Sequence, residues 1–297
     1  MKLMTKWTGF ALVLTLLTFL YGCPNPPEFE VFSIIPHETT AEISWNTSNN
    51  DYNSAEINVY PIEVDADSPH SMTVNDPLTK KVVFENLKGL TEYNYQIDLL
   101  SGDEVVQSKE GRFRTSYSSE KKTLNTRDGY RLDGELFYLT SWNQPVPAVM
   151  MLHGYTETMK PWDKSKAMDA LIENGYACLT FFFRGHKTSD EFPLDSLAGP
   201  NGWYYLGSDV EAGISALKDD SRTDGEQIGL TGGSMGGGVS AACSLFPEVI
   251  ASVPLGGVRL PEMKPMKECF PELESYESRG VFFIVCEDDI DQTGEYH

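Results

Sequence analysis

Basic residues are scarce in this chain. Its 297 residues hold 23 lysines and arginines against 44 aspartates and glutamates, a formal net charge of −21. No basic patch gathers anywhere along it, which argues against nucleic acid and anionic lipid head groups as partners. There are 16 acids against 6 bases in residues 24–117 and 28 against 15 in 118–297, so the acidity is general and reads as solubility or a saline habitat. Cysteine is also sparse, five in all, and the spacing of Cys178, Cys243, Cys269 and Cys286 fits no zinc pattern. No glycine-rich loop is followed by Lys-Ser or Lys-Thr, so a phosphate loop is absent. No internal repeat or low-complexity tract is visible, and the 40% apolar and 11% aromatic content is that of globular material.

Long apolar runs are missing too. The longest, Trp7 to Tyr21, is 15 residues, too short for a comfortable membrane span. Lys2 and Lys6 precede it, as in a targeting segment. It ends in Leu20-Tyr21-Gly22-Cys23, which resembles the lipobox of bacterial lipoproteins. That resemblance implies a signal peptide over residues 1–23, lipidation of Cys23 and a protein held at the cell envelope, with Pro24-Asn25-Pro26-Pro27 as a short stiff tether. An ordinary secretory signal or a short anchor helix is the plainer alternative.

Two kinds of pattern follow. Residues 28–116 read as short strands over 28–35, 39–45, 55–60, 81–87, 92–100 and 105–115 between turn signals, with one apolar face in Ala41-Glu42-Ile43-Ser44-Trp45 and in Tyr93-Asn94-Tyr95-Gln96-Ile97. From about 120 onward apolar runs alternate with helical patterns, as in a parallel sheet covered on both faces. Strands are predicted over 131–139, 146–152, 176–183, 250–255 and 281–285, and helices over 162–174, 209–217 and 237–245. Cys178, Cys243 and Cys286 fall in elements predicted to be buried, where packing is their expected role.

The chemistry sits in Gly232-Gly233-Ser234-Met235-Gly236, preceded by the apolar Ile228-Gly229-Leu230-Thr231 and followed by a small-residue helix. A strand that turns at once into a helix forces the serine between them into a strained backbone, tolerated only among small neighbours. The helix N-terminus then directs the Met235 N–H at a developing oxyanion. A glycine-rich turn with an incidental serine is the plain alternative, and the strand–turn–helix context argues against it.

Three further segments extend the pattern: His153-Gly154-Tyr155 after one predicted strand, Arg184-Gly185-His186 after the next, and Cys286-Glu287-Asp288-Asp289 at the end of a late one. With the serine turn they resemble the α/β-hydrolases, nearest in style to the dienelactone-hydrolase and bacterial-esterase branches, over residues 118–297. Lys187 and Cys286 stand where that family usually has glycine. The resemblance implies an α/β fold, a mostly parallel sheet with helices on both faces. It implies Ser234 as nucleophile, the Tyr155 and Met235 amides as oxyanion hole, and Asp289 as triad acid, with Glu287, Asp288 and Asp291 as neighbouring candidates. His153 and His186 take structural roles in the loops, and no cofactor or metal is implied. Trp203, Tyr204 and Tyr205 line an acyl pocket or pack against the sheet.

Residues 24–117 resemble fibronectin type III domains, an all-β sandwich, through Trp45 and through Leu87-Lys88-Gly89-Leu90-Thr91-Glu92-Tyr93. In that resemblance Tyr93 hydrogen-bonds back to the backbone at a corner, and the domain is a spacer.

A serine needs a base, because its hydroxyl is a feeble nucleophile until an imidazole takes the proton. In the family the histidine follows the acid by a further helix and strand, roughly 25–40 residues by ordinary element lengths. Here only Ile290 to Tyr296 separate Asp289 from His297. Eight extended residues reach ~26 Å, yet a terminal residue is poorly anchored for proton transfer. The fold is thus expected to be C-terminally incomplete, with the base, if not His297, supplied by chain that continues past it. The expected function is a serine hydrolase of carboxylic esters with a small ester or acyl substrate. A prolyl-oligopeptidase-like peptidase and a non-catalytic binding lipoprotein are the alternatives.

Overall fold

The computed structural model describes residues 29–47, 51–62, 70–155, 162, 165–257, 263–273 and 280–282. The chain divides into two compact units, Met1–Ser116 and Tyr117–His297.

The first unit is all antiparallel. Its strands are β1 (Phe29–Pro36), β2 (Ala41–Thr47), β3 (Ser54–Pro61), β4 (His70–Val74), β5 (Lys81–Phe84), β6 (Glu92–Ser101) and β7 (Glu104–Arg114). They form a three-stranded sheet, β1-β2-β5, and a four-stranded sheet, β4-β3-β6-β7. The period-two pattern works as read: Ala41, Ile43 and Trp45 point inward from one sheet, and Tyr93, Tyr95, Ile97 and Leu99 from the other, into one core. The Tyr93 hydroxyl accepts a hydrogen bond from the Lys88 N–H at 2.8 Å, the turn-back to the backbone expected there. Strand β4 was not anticipated. None of its five residues is buried, so it carries no apolar alternation to read.

The second unit is a six-stranded mixed sheet, in the order β13-β12-β10-β11-β9-β8. The strands are β8 (Ser118–Asn125), β9 (Arg131–Tyr138), β10 (Val146–Leu152), β11 (Ala177–Phe181), β12 (Thr223–Ser234) and β13 (Val249–Gly257). Pairings among β11, β10, β12 and β13 are parallel, whereas β9 runs antiparallel to both β8 and β11. The parallel half is deepest at β11, where all five residues are buried and only Thr180 is polar. Val281 forms one parallel bridge to Ser252 beyond β13.

The helices are α1 (Lys166–Glu173), α2 (Gly202–Lys218), α3 (Met235–Ala242) and α4 (Met266–Cys269). Helix α1 is capped by Ser165, whose Oγ accepts from the Met168 N–H at 3.2 Å, and Gly175 ends it at φ +81°. Helix α2 starts seven residues before the predicted Asp209. Its first turns carry Trp203, Tyr204 and Tyr205, three consecutive aromatics that hide the helical period. It packs over Met150, Leu179 and Phe181 through Gly213, where a Cβ would lie 2.7 Å from the Met150 sulfur. Cys178 and Cys243 are free thiols in the core; burial pushes Cys178 up to about 12 and raises Cys243 as well.

Among the described residues no helix is long and apolar enough to cross a membrane.

Candidate active site

Register brings the site together. In the β10–β12 pairing Leu152 lies beside Gly232, so the segments that leave these two strands at the same edge are neighbours. One carries Tyr155, three residues on; the other carries Ser234, two residues on.

Ser234 has φ +52° and ψ −118°, a conformation a side chain adopts only under constraint. The constraint is the abrupt passage from β12 to α3. Its hydroxyl makes no capping bond to the helix it starts, and the residue is exposed. The small neighbours have specific partners. A Cβ on Gly232 would meet the Gly236 backbone at 2.6 Å, and one on Gly236 would meet the His153 carbonyl oxygen at 2.8 Å. Gly236 therefore lets α3 approach the end of β10 as well as β12, and the serine turn and the His153–Tyr155 segment lock together.

His153 is 1% exposed and both ring nitrogens are engaged. Nδ1 lies 2.7 Å from the Gly154 carbonyl oxygen, and Nε2 is 3.1 Å from the Phe183 amide nitrogen. The Phe183 N–H can only donate, so Nε2 is the acceptor and Nδ1 carries the proton. Burial, with His186 nearby, lowers the ring's pKa to about 4. This neutral ring fixes the loop that follows β10. The Gly154–Tyr155 peptide is planar, with its C=O and N–H on opposite edges. Holding Gly154 O against the ring turns the Tyr155 N–H away from it.

His186 ties the same loop from the other side: its Nε2 contacts the Tyr155 carbonyl oxygen and its Nδ1 lies 3.1 Å from the Arg184 carbonyl oxygen. The two rings meet edge-on at 4.8 Å. Both nitrogens of His153 are hydrogen-bonded, and both nitrogens of His186 face backbone carbonyl oxygens, of which a neutral ring can donate to only one, so neither ring is turned to Ser234.

Arg184 anchors this arrangement. It is fully buried, with Nε 2.8 Å from Asp209 Oδ1 and its two terminal nitrogens 2.6 and 2.9 Å from the Asp128 oxygens. Asp209 also accepts from the Arg184 N–H at 3.0 Å. Tyr130 lies under the guanidinium at 4.6 Å. Burial pushes the Asp209 carboxyl up to about 6 against the pull of Arg184. Asp209 and Asp128 belong to none of the sequence motifs around Ser234. A signal existed for Asp209: it lies three residues after Leu206 and four before Gly213, on the apolar stripe of α2.

Tyr155, Ser234 and Met235 line one cavity of about 360 Å3 with Leu197, Ala198, Trp203, Leu206 and Met263. Of the three aromatics at 203–205, only Trp203 faces it. Tyr204 stacks on Phe270 at 5.8 Å and Tyr205 meets Phe192 edge-on at 4.8 Å. The cavity's other walls come from three separate segments: Leu197 and Ala198 from the loop before α2, Leu206 from α2 itself and Met263 from the stretch before α4. Cys23, Asp289 with its acidic neighbours Glu287, Asp288 and Asp291, and His297 lie outside the described residues. Among the described residues no three His, Cys, Asp or Glu side chains are grouped to hold a metal ion.

No family model matches the chain. Among curated proteins it is similar to acylamino-acid-releasing enzyme 1 of Oryza sativa subsp. japonica, 28% identical over 171 residues, which is 50% of this chain and 22% of that protein. The chain thus spans about a fifth of the length of that relative. Among solved structures it is similar to an esterase of Pyrococcus furiosus, with 25% identity, 48% of this chain and 53% of that one covered, and a TM-score of 0.38. It is also similar to a Klebsiella pneumoniae subsp. pneumoniae protein assigned to the dienelactone hydrolases, with 12% identity, 62% and 92% covered, and a TM-score of 0.42. The mixed sheet with its strained serine between β12 and α3 is an α/β-hydrolase type of fold.

Proposed function

We propose that the chain is a serine hydrolase of carboxylic esters that works through an acyl-serine intermediate. The observation that carries this is Ser234 itself: a strained, uncapped hydroxyl on the rim of a cavity that the Tyr155 and Met235 residues also line. In acylation the Ser234 Oγ forms a bond to the ester carbonyl carbon while its proton passes to a base. The tetrahedral oxyanion is held by the Tyr155 and Met235 amides. The C–O bond to the alcohol breaks, and the base returns the proton to the departing alkoxide. Water then adds to the acyl carbon by the same route and restores the serine.

His153 and His186 are committed to holding the loop. The base in this reading is therefore an imidazole outside the described residues, His297 or a histidine of a longer form of the chain, with Asp289 orienting it. The first unit serves as a fibronectin type III-like spacer, supported by its three- and four-stranded sheets around Trp45 and by the Tyr93 corner bond. Lipid on Cys23 holds the protein at the cell envelope. A peptidase is the second reading, favoured by the name of the rice relative.

A fluorophosphonate probe applied to the full-length protein tests the proposal. Labelling of wild type that disappears in Ser234→Ala supports it; no labelling of wild type points instead to a non-catalytic binding protein. Turnover of a nitrophenyl ester against the matching nitroanilide separates ester from peptide chemistry.

A further inference from the structure

The wall of the cavity beside Ser234 contains no Lys, Arg, His, Asp or Glu among the described residues. Leu197 and Leu206 are 2% and 1% exposed, so two of its sides belong to the core itself. Trp203 and Leu206, three residues apart on α2, present one apolar face to it, and Met263 closes it from a separate segment. A charged group placed against these walls would lose part of its water and find no opposite charge among the described residues. An apolar group would gain contact with them.

Size narrows the ligand further. A dry cavity of about 150 Å3 takes one benzene ring. At about 360 Å3 this one holds more than twice that, which suits a chain or ring system of roughly ten heavy atoms. An acetyl or methyl group would leave most of it empty, and a chain of sixteen carbons would overrun it.

Resting on the ester-hydrolase reading above, we propose that the substrate is an ester with one uncharged, apolar substituent of medium size beside its scissile carbonyl. Leu197, Ala198, Trp203, Leu206 and Met263 select that substituent. It is the acyl chain or the alcohol, and both give the same apolar contact.

Two series of esters separate these sources: ethyl acetate, butanoate, octanoate and hexadecanoate, and methyl, butyl and octyl acetate. In one series kcat/KM is expected to rise by up to about fourfold per methylene. It should gain at least tenfold by the eight-carbon member, and in the acyl series fall again at hexadecanoate. Ala198→Phe, at a half-buried position, should cut the eight-carbon to two-carbon preference about tenfold. An optimum at the smallest group in both series, or a preference for a monosuccinate ester over the octanoate, overturns the proposal. Calorimetry on Ser234→Ala keeps the cavity testable without catalysis. Binding of ethyl octanoate or octyl acetate that Ala198→Phe weakens supports the pocket even if wild type turns over no ester, an outcome that removes the ester-hydrolase reading alone. Turnover of esters with no such binding and no chain-length preference removes the pocket and leaves that reading intact.

Discussion

At the scale of single residues, His153 is held neutral by what surrounds it. Its ring donates to Gly154 O and accepts from the Phe183 N–H, and a second proton would break the latter bond. The pKa, lowered from 6.5 to about 4 by burial, makes this a stability statement. Between those values an unfolded chain takes up a proton that the folded one refuses. The contribution is therefore full above pH 6.5 and is lost as pH falls through about 4, a total of about 3 kcal/mol. Unfolding free energies of wild type and His153→Gln, measured from pH 7.5 to 4, should converge by about that amount as the pH drops. A constant difference across the range contradicts the neutral, doubly bonded ring. That Ser234, Tyr155 and Met235 meet at one cavity was legible in sequence, because each stands just beyond a predicted strand end. The engagement of both histidines was not, since each bonds to a strand end thirty or so residues away.

At the scale of elements, the serine turn depends on three segments meeting without side chains between them. Gly236 faces the Leu152 and His153 carbonyls as well as the end of β12. Gly236→Ala should therefore destabilise the second unit by about 1–3 kcal/mol, and lower kcat more than it raises KM because the Met235 amide moves with the helix start. Thermal unfolding and ester kinetics on the same preparation check both; an unchanged kcat would mean the helix start does not carry the oxyanion donor. Elements with clean periodicity were legible in sequence: β10 matches its prediction residue for residue, and Ala41, Ile43 and Trp45 point where alternation sends them. Strand β4 has no buried residue to advertise it, and β8 has only Leu124. The start of α2 was lost because Trp203, Tyr204 and Tyr205 serve three different surroundings. Trp203 enters the cavity, while its neighbours pack on Phe270 and Phe192.

At the scale of the whole molecule, the two units have separate cores and different tasks in the proposed account. One core is built on Trp45 between two antiparallel sheets; the other is built on the fully buried β11 and its neighbours under α2. The surplus of acids lies in both, so the net charge of −21 marks no particular surface as a docking site. Attachment is assigned to the chain's start. Cys23→Ser in the full-length protein is expected to move it from the membrane fraction to the soluble extract and to abolish incorporation of labelled fatty acid, with specific activity on esters unchanged. Retention of the label contradicts that assignment. The central claim is narrower: Ser234 carries the acyl group. Mass spectrometry of the full-length protein, acid-quenched within milliseconds of mixing with a nitrophenyl octanoate, tests it most directly. The account predicts an octanoyl adduct on the peptide containing Ser234 and none in Ser234→Ala; turnover with that peptide unmodified, or an adduct that survives the substitution, would contradict it.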